Sequence, residues 1–495
     1  MKLKKMPDVS MTSSPSSLLK RSVLAIVCCS VFLTGCAVGP DYVRPDTDIP
    51  VSYKEDGLWK SAKPADEVPK GEWWKVFNDA ELNRLMDQLN HQNLTIIQAE
   101  AQYRQAAAYL RQAESGLFPT IDAGFSRTRG TSSTNNAIIN NQNQFTGTIS
   151  WEIDIWGEIR RSIEAGEAGA ASSLANIAAT RLSAQAQLAK AYLELRVLDC
   201  QISRLKESER LMAESLQITT NQYHVGLVSD ADVAQAESVW KSAQTATVDA
   251  ELARAQLEHA IAVSIGQTPA TFNIEPLGNA PDLPVIPAGI PSLILQRRPD
   301  IAVAERKVAQ ANAEIGVAKA AYFPSLTLSA SGGWKHHSFN DLFTVPYRMW
   351  SIGPSIALNI FDAGLRRART AEAVAAYDEM VAAYRQQVLT AFQEVEDSLA
   401  AQRYLHDECE YQTAAVNAAK RAEKIMMNRY RVGTASYIEV LTAQNTRINA
   451  ENTWWNIRKR QFTSATSLIA AIGGDWRAAD STFNENTAFA WSSAH

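Results

Sequence analysis

The sequence predicts a mainly α-helical chain with a smaller β component, built from one structural unit used twice. Three observations carry that expectation. A residue pattern recurs at a nearly constant offset, two long stretches lack both glycine and proline, and four short segments alternate apolar with polar residues. With 46% hydrophobic and 20% charged residues over 495 positions, the chain has the composition of a folded protein. Its formal net charge of −5 argues against a dedicated nucleic-acid binder, which needs a basic stripe. Five cysteines do not make a disulfide scaffold at this length.

The N-terminus reads as a removable signal. Lys2, Lys4, Lys5, Lys20 and Arg21 precede an apolar run from Val23 to Leu33 that is too short to span a bilayer as a helix. Leu33-Thr34-Gly35-Cys36 then resembles a bacterial lipobox. That resemblance implies cleavage after residue 35 and acylation of Cys36, and Ala37, where Asp would retain the protein at the inner membrane, implies delivery to the outer membrane. Removal of residues 1–35 takes Cys28 and Cys29 with it and leaves 43 basic and 52 acidic residues. No later run reaches the roughly 18 apolar residues of a transmembrane helix, so a membrane crossing has to be a β-barrel.

The repeat is read from matched positions. Glu100, Gln105, Ala113, Phe118 and Pro119 correspond to Glu305, Gln310, Ala318, Phe323 and Pro324 at an offset of 205. Arg160-Arg161 matches Arg366-Arg367, and Gln222–Ala236 matches Arg429–Ala443 at an offset of 207. Each copy reads as helix, hairpin, very long helix, tight turn and long helix. The first copy covers 91–268, with strands about 119–129 and 145–156 and helices about 159–224 and 231–265. The second covers 300–474, with strands about 324–334 and 350–361 and helices about 365–430 and 437–472. A proline-rich linker, 269–299, joins them.

Each opening helix stops at Phe-Pro because proline cannot continue it. In the first hairpin Ile121, Ala123 and Phe125 alternate with small or polar residues. Phe145, Ile149, Trp151, Ile153 and Ile155 then oppose Thr146, Thr148, Ser150, Glu152 and Asp154. In the second, Leu326, Leu328, Ala330 and Trp334 oppose Ser325, Thr327, Ser329 and Gly333, and Trp350, Ile352, Ile356, Leu358 and Ile360 oppose Ser351, Ser355, Ala357 and Asn359. Strands of about ten residues with this dyad fit a barrel with lipid outside and water inside. The loops Gly130–Gln144 and Lys335–Met349 read as long and polar, as extracellular loops do. The smallest closed membrane barrels need about eight strands, so four per chain require several chains.

Ile159–Tyr223 and Leu365–Arg429 each run 65 residues without proline, enough for roughly 100 Å of continuous helix at ~1.5 Å per residue. Their apolar stripes (Leu188, Tyr192, Leu195, Ile202, Leu205; Val381, Tyr384, Val388, Phe392, Val395, Leu399) are narrow, as in helix-on-helix packing with one wet face. Gly226 and Gly433 mark the turns that follow.

The lipobox, the following Ala37–Pro45 motif (Ala-Val-Gly-Pro-Asp-Tyr-Val-Arg-Pro), Trp73-Trp74, the paired Phe-Pro helix ends and the Tyr-Xaa-Val-Gly turns together resemble the TolC/OprM outer-membrane factors, in their NodT-like lipoprotein branch. The resemblance implies a homotrimer whose chains share a twelve-stranded barrel continued by an α-helical periplasmic tube. An equatorial region would be built from parts of 36–90, from 269–299 and from the tail 475–495. It implies an export duct served by a periplasmic adaptor and an inner-membrane pump of the RND type, carrying drugs or other toxic compounds, with no cofactor beyond the lipid on Cys36. It further implies a gate at the helix tips, where Tyr430 would hydrogen-bond Asp232 and Glu439 would supply an acidic ring. Thr442 stands where the family has Asp and Ala435 where it has Arg; Asp230, Arg429 and Arg431 are candidates to compensate.

Catalytic motifs (HExxH, GxSxG, P-loop) are absent, so no enzyme is expected. His336-His337 reads as a surface pair with no metal site, and Cys200 and Cys409 as thiols whose pairing sequence does not decide. The alternatives to an efflux duct are a type I secretion duct and a lipid-anchored coiled-coil scaffold without a pore.

Overall fold

The computed structural model describes residues 37–47, 54, 72–131, 139–278, 282–284 and 298–474. The expected signal segment and Cys36 lie outside the described residues. So do 48–53, 55–71, 279–281, 285–297 and the tail 475–495 of the expected equatorial region. The elements are α1 (Ala80–Gln92), α2 (Leu94–Ser115), β1 (Thr120–Thr131), β2 (Ile139–Ile153), α3 (Glu158–His224) and α4 (Asp230–Ser264). Then come α5 (Pro299–Ala320), β3 (Ser325–His336), β4 (Arg348–Ala357), α6 (Leu365–Arg431) and α7 (Tyr437–Ala471). Two compact units result. Of the described residues, one holds those up to Val43 with those of Ala107–Ala168 and Val308–Glu379; the other holds those of Arg44–Ala106 and Gly169–Lys307 and those from Met380 onward. Neither unit is one of the sequence repeats, because strands of the two halves pair with each other.

The first unit contains an antiparallel sheet of order β1-β2-β3-β4. Its register places Ile121, Ile149, Ala330 and Ile352 in one cross-strand row and Phe125, Phe145, Trp334 and Arg348 in another. Since side chains alternate across the pleat, all of these share one face with Trp151, Leu328 and Ile356. The opposite face carries Asp122, Ser126, Thr146, Thr148, Ser150, Thr327, Ser329, Ser331, Ser351 and Ser355. Away from its far end the apolar face is uncovered among the described residues: Ile121, Trp350 and Ile356 are 76%, 79% and 74% exposed. Among the described residues β1 and β4 are open edges.

Two strand boundaries differ from the sequence expectation. β2 begins at Ile139, not 145, because its pairing with β1 extends to Thr131↔Ile139. Residues 141–144 are polar on both faces, which erases the alternation that marks the rest of the strand. β4 spans Arg348–Ala357, not 350–361. Its ladder ends at Ser325↔Ala357 because Pro324 has no N–H with which to extend β3. The loop between β3 and β4 also departs from a purely polar reading. Phe339 packs edge-on against Phe125, Phe343 against Phe145 and Trp334, and Leu342 is fully buried.

The Ala37–Pro45 motif is explained in the same unit. Arg161 is buried at the start of α3 and donates to the Val38 and Gly39 carbonyls, to Asp41 at 2.8 Å and to Glu164 at 2.7 Å. Asn312 holds the Pro40 carbonyl at 3.0 Å, and the Val38 N–H donates to the Trp156 carbonyl. Gly39 adopts φ +113° with Gly316 directly against it; a Cβ at Gly39 would lie 2.6 Å from the Gly316 Cα. The segment is therefore clamped by one guanidinium and two facing glycines.

In the second unit, Trp73 and Trp74 are core residues, 4% and 3% exposed, with the Trp73 indole donating to Gln185 at 3.1 Å. Asp79 caps α1 by accepting from the Leu82 N–H and also receives the Tyr192 hydroxyl at 2.8 Å. Arg196 donates to that hydroxyl, pairs with Asp199, and reaches the Glu275 carbonyl; Arg254 bonds the other Asp199 oxygen at 2.6 Å. Every charge in this buried set has a partner, the condition under which burial of charge is tolerated.

Replacing Arg161 with alanine is expected to destabilise the docked segment by about 2 kcal/mol, since its hydrogen bonds come from a charged donor. Arg161→Lys should restore only part, lacking the fork. Proteolysis and hydrogen exchange at residues 37–44 read the effect; unchanged protection in Arg161→Ala would refute the clamp.

Candidate functional site

The two helix-tip turns are built identically, 207 positions apart in the chain. α3 ends with Gly226 at φ +79° and α6 with Gly433 at φ +76°. In each, the glycine N–H bonds back to a tyrosine carbonyl (Tyr223 or Tyr430), and the next N–H bonds to the carbonyl before it (Gln222 or Arg429). This double closure needs a left-handed residue, which glycine supplies without a Cβ penalty. Nothing stands within 4 Å of a Cβ built at either glycine, so the demand is conformational alone.

The returning helices start with capping boxes. The Asp232 carboxylate accepts from the Ser229 N–H at 2.9 Å and its hydroxyl at 2.7 Å. The Glu439 carboxylate accepts from the Ser436 N–H at 2.7 Å and its hydroxyl at 3.0 Å. Each acid thereby satisfies helix-start donors that would otherwise be orphaned. The bonds from Ser436, aided by the Arg429 charge, hold the Glu439 carboxyl below the usual range.

Tyr430 is not bonded to Asp232, contrary to the pairing that the family resemblance implied. Its hydroxyl lies 3.2 Å from Thr219 Oγ1. The Thr219 hydroxyl donates to the Ser215 carbonyl, so Tyr430 is the donor to Thr219. Asp232 instead caps its own helix through Oδ2, which accepts from the Ser229 N–H and hydroxyl. Tyr430 is 4% exposed and sits with Tyr437, Val440 and Ala236 in a small core flanked by Leu216, Ile218, Met426 and Met427. Burial pushes its hydroxyl pKa up. The bond links α6 to α3, and the core adds α4 and α7.

Of the remaining expected residues, Asp230 and Arg431 are exposed at the two turns. The Thr442 hydroxyl donates to the Ile438 carbonyl within its own helix, and Arg429 reaches the Thr434 carbonyl. Glu439 and Thr442 share α7 but are not joined. A buried charged group in this unit was not anticipated. Arg447 lies 2.6 Å from Glu423, 2.5 Å from Glu451 and 3.0 Å from the Ser208 hydroxyl, and ties α7 to α6 and α3. Burial raises the Glu423 carboxyl, with Arg447 opposing it. Its only local sequence signal is the Arg447–Glu451 spacing of four.

Among the described residues no group of three or more His, Cys, Asp or Glu could hold a metal ion. His336 stacks on Tyr347 at 3.7 Å, and Cys200 and Cys409 are free thiols. The tips are capped helix ends that share one tyrosine-centred core.

A sheet with one lipid-compatible face and two open edges, joined to paired helices of this length, defines an outer-membrane channel protein. The comparisons agree. Residues 85–267 and 290–474 match the outer membrane efflux protein family, and the chain belongs to it. It is 30% identical over 468 residues to the antibiotic efflux pump outer membrane protein ArpC of Pseudomonas putida, and equally to the toluene efflux pump outer membrane protein TtgC of the same species. Each alignment covers 92% of this chain and 96% of the relative. The CmeC outer membrane channel of Campylobacter jejuni superposes with a TM-score of 0.82 at 26% identity, over 92% of this chain and 97% of that one. The protein is an outer-membrane efflux channel extending into the periplasm.

Thr219→Val is expected to destabilise the tip more than Tyr430→Phe. The first strands a buried tyrosine hydroxyl, about 1–3 kcal/mol, whereas the second deletes the donor and leaves the Thr219–Ser215 bond intact, about 1 kcal/mol. Hydrogen exchange at residues 215–232 and 426–440 decides, and the reverse order would refute the assignment of donor and acceptor.

Ser229→Ala and Ser436→Ala should each loosen a tip by about 1 kcal/mol. The folded Glu439 carboxyl titrates below its unfolded value of 4.5. Its contribution is thus complete above pH 4.5 and is lost as the pH falls through the lowered value. After correction for intrinsic rates, exchange at the second tip should be constant from about pH 7 to about pH 5 and rise below 4.5; Glu439→Gln should remove that rise.

Proposed function

We propose that three copies of this chain form one continuous exit duct, anchored by lipid on Cys36, that receives cargo from an RND-type inner-membrane pump through a periplasmic adaptor. The observation that carries the reading is the four-stranded sheet with unpaired edges and an exposed apolar face. In hydrocarbon such edges require partners, and three sheets supply a closed ring of twelve strands.

The lumen would be a weakly selective conduit. Its strand-borne side chains are chiefly hydroxyls and amides, with Asp122, Glu152 and Lys335 the charged residues on that face among the described ones. Cargo choice therefore falls to the pump. Antibiotics and toluene, the cargo named for the two relatives, represent the proposed classes. Gating falls to the tips. Because each turn is closed and capped locally, opening would move capped hairpins as rigid pieces and strain the Tyr430–Thr219 link and its core. An adaptor that binds the open arrangement more tightly can offset a few contacts of about 1 kcal/mol each. Glu439, Thr442, Asp230 and Arg431 would line the constriction, with Glu439 shared between ring and cap.

The protein in a planar bilayer should conduct weakly, and Tyr430→Phe with Asp232→Ala should raise conductance several-fold by loosening the tips. No conductance from either form, with assembly intact, would overturn the duct reading in favour of a scaffold.

A further inference from the structure

At the end of the sheet distant from the helices, the apolar face changes character. Arg127 is in one cross-strand row with Asn143 and His336, Arg129 pairs with Asn141, and Arg348 ends the Phe125–Phe145–Trp334 row. By the pleat, the side chains of all three arginines belong to the outward, lipid-compatible face. Arg127, Arg129 and Arg348 are exposed, and none forms an ion pair among the described residues. No acid occupies that face in any of the four strands; Asp122 and Glu152 belong to the opposite one.

The loop between β3 and β4 adds the apolar half of a surface. Phe339 and Phe343 lie over Phe125, Phe145 and Trp334 and still remain 56% and 58% exposed. Tyr347 stacks on His336. The loop holds one acid, Asp341, whose backbone carbonyl receives the Thr344 N–H and hydroxyl. Lys335 faces the lumen side and His337 is exposed in the loop.

We propose that this rim is a binding surface for phosphate-bearing lipid headgroups of the outer leaflet. The surface is continuous with the lipid-facing sheet below it, which fixes the occupant as lipid. Trp334 and Tyr347 are of the amphipathic ring type that is enriched at headgroup level. The guanidiniums stand beside and above them, where anionic phosphates would be matched by bidentate donors. Arg127 and Arg129 are on edge strand β1 and Arg348 is on edge strand β4. Assembly of several chains would therefore spread the basic groups around the rim.

The test titrates the detergent-solubilised, assembled protein with diphosphorylated lipid A, monophosphorylated lipid A or phosphatidylcholine, and counts bound lipid by native mass spectrometry. Binding should fall in that order. R127Q/R129Q/R348Q should weaken diphosphorylated lipid A binding by on the order of tenfold or more, as expected for losing three basic residues near an anionic surface. Bilayer conductance should be unchanged, which separates this outcome from failure of the duct reading. Raising salt from about 50 to about 500 mM should weaken binding to the unsubstituted protein, a test that holds even if the triple variant fails to assemble. Equal affinity for phosphatidylcholine and diphosphorylated lipid A, binding insensitive to salt, or full binding by an assembled triple variant would overturn the proposal.

Discussion

A sheet edge cannot be left in hydrocarbon. Each unpaired N–H or C=O there lacks even water as a partner and costs several kcal/mol, and β1 and β4 present two whole rows of them. The apolar face argues against the opposite solution, a sheet in water, because Ile121, Trp350 and Ile356 have no covering layer among the described residues. Membrane insertion and assembly are thus one requirement. The chain's own fold is incomplete until the edges are paired, and the other features serve that completion or exploit it.

The helical parts solve a different problem with local devices. α3 and α6 carry no internal glycine or proline over most of their length, and at their ends the same glycine closure and the same serine–carboxylate cap recur. Because these closures are made within each hairpin, the turn geometry does not depend on contacts between neighbouring hairpins. What does depend on such contacts is the Tyr430 core, where residues of four helices meet around one buried hydroxyl. A gate needs this division: rigid parts and a small, weak junction between them.

Much of this was legible because it is periodic or local. The dyad located β1 and β3 to within two residues, and Gly226 and Gly433 marked the turns. What was lost has specific causes. Asn141–Gln144 are polar on both faces, so β2 lost its first residues; Leu358 and Ile360 keep the alternation going past the point where Pro324 ends β3's ladder. The Ser-Xaa-Xaa-Asp and Ser-Xaa-Xaa-Glu caps were readable as sequence, yet family resemblance assigned Asp232 to Tyr430 instead. The real partner, Thr219, is 211 positions from Tyr430, and no local pattern pairs them. Phe339 and Phe343 belong to no periodic segment, so their packing on the strand aromatics left no signal either.

The central claim is that β1 and β4 are joined between chains. It is tested most directly by disulfide trapping in the membrane, in a background with Cys200 and Cys409 replaced by serine and Cys36 kept. Gly124→Cys on β1 would be combined in turn with Ser351→Cys, Gly353→Cys or Ser355→Cys on β4, all on the lumen-facing side of the sheet. The account predicts that at least one combination oxidises to a covalent trimer. Linkage confined to single chains, or no linkage in a membrane-inserted, folded protein, would contradict it.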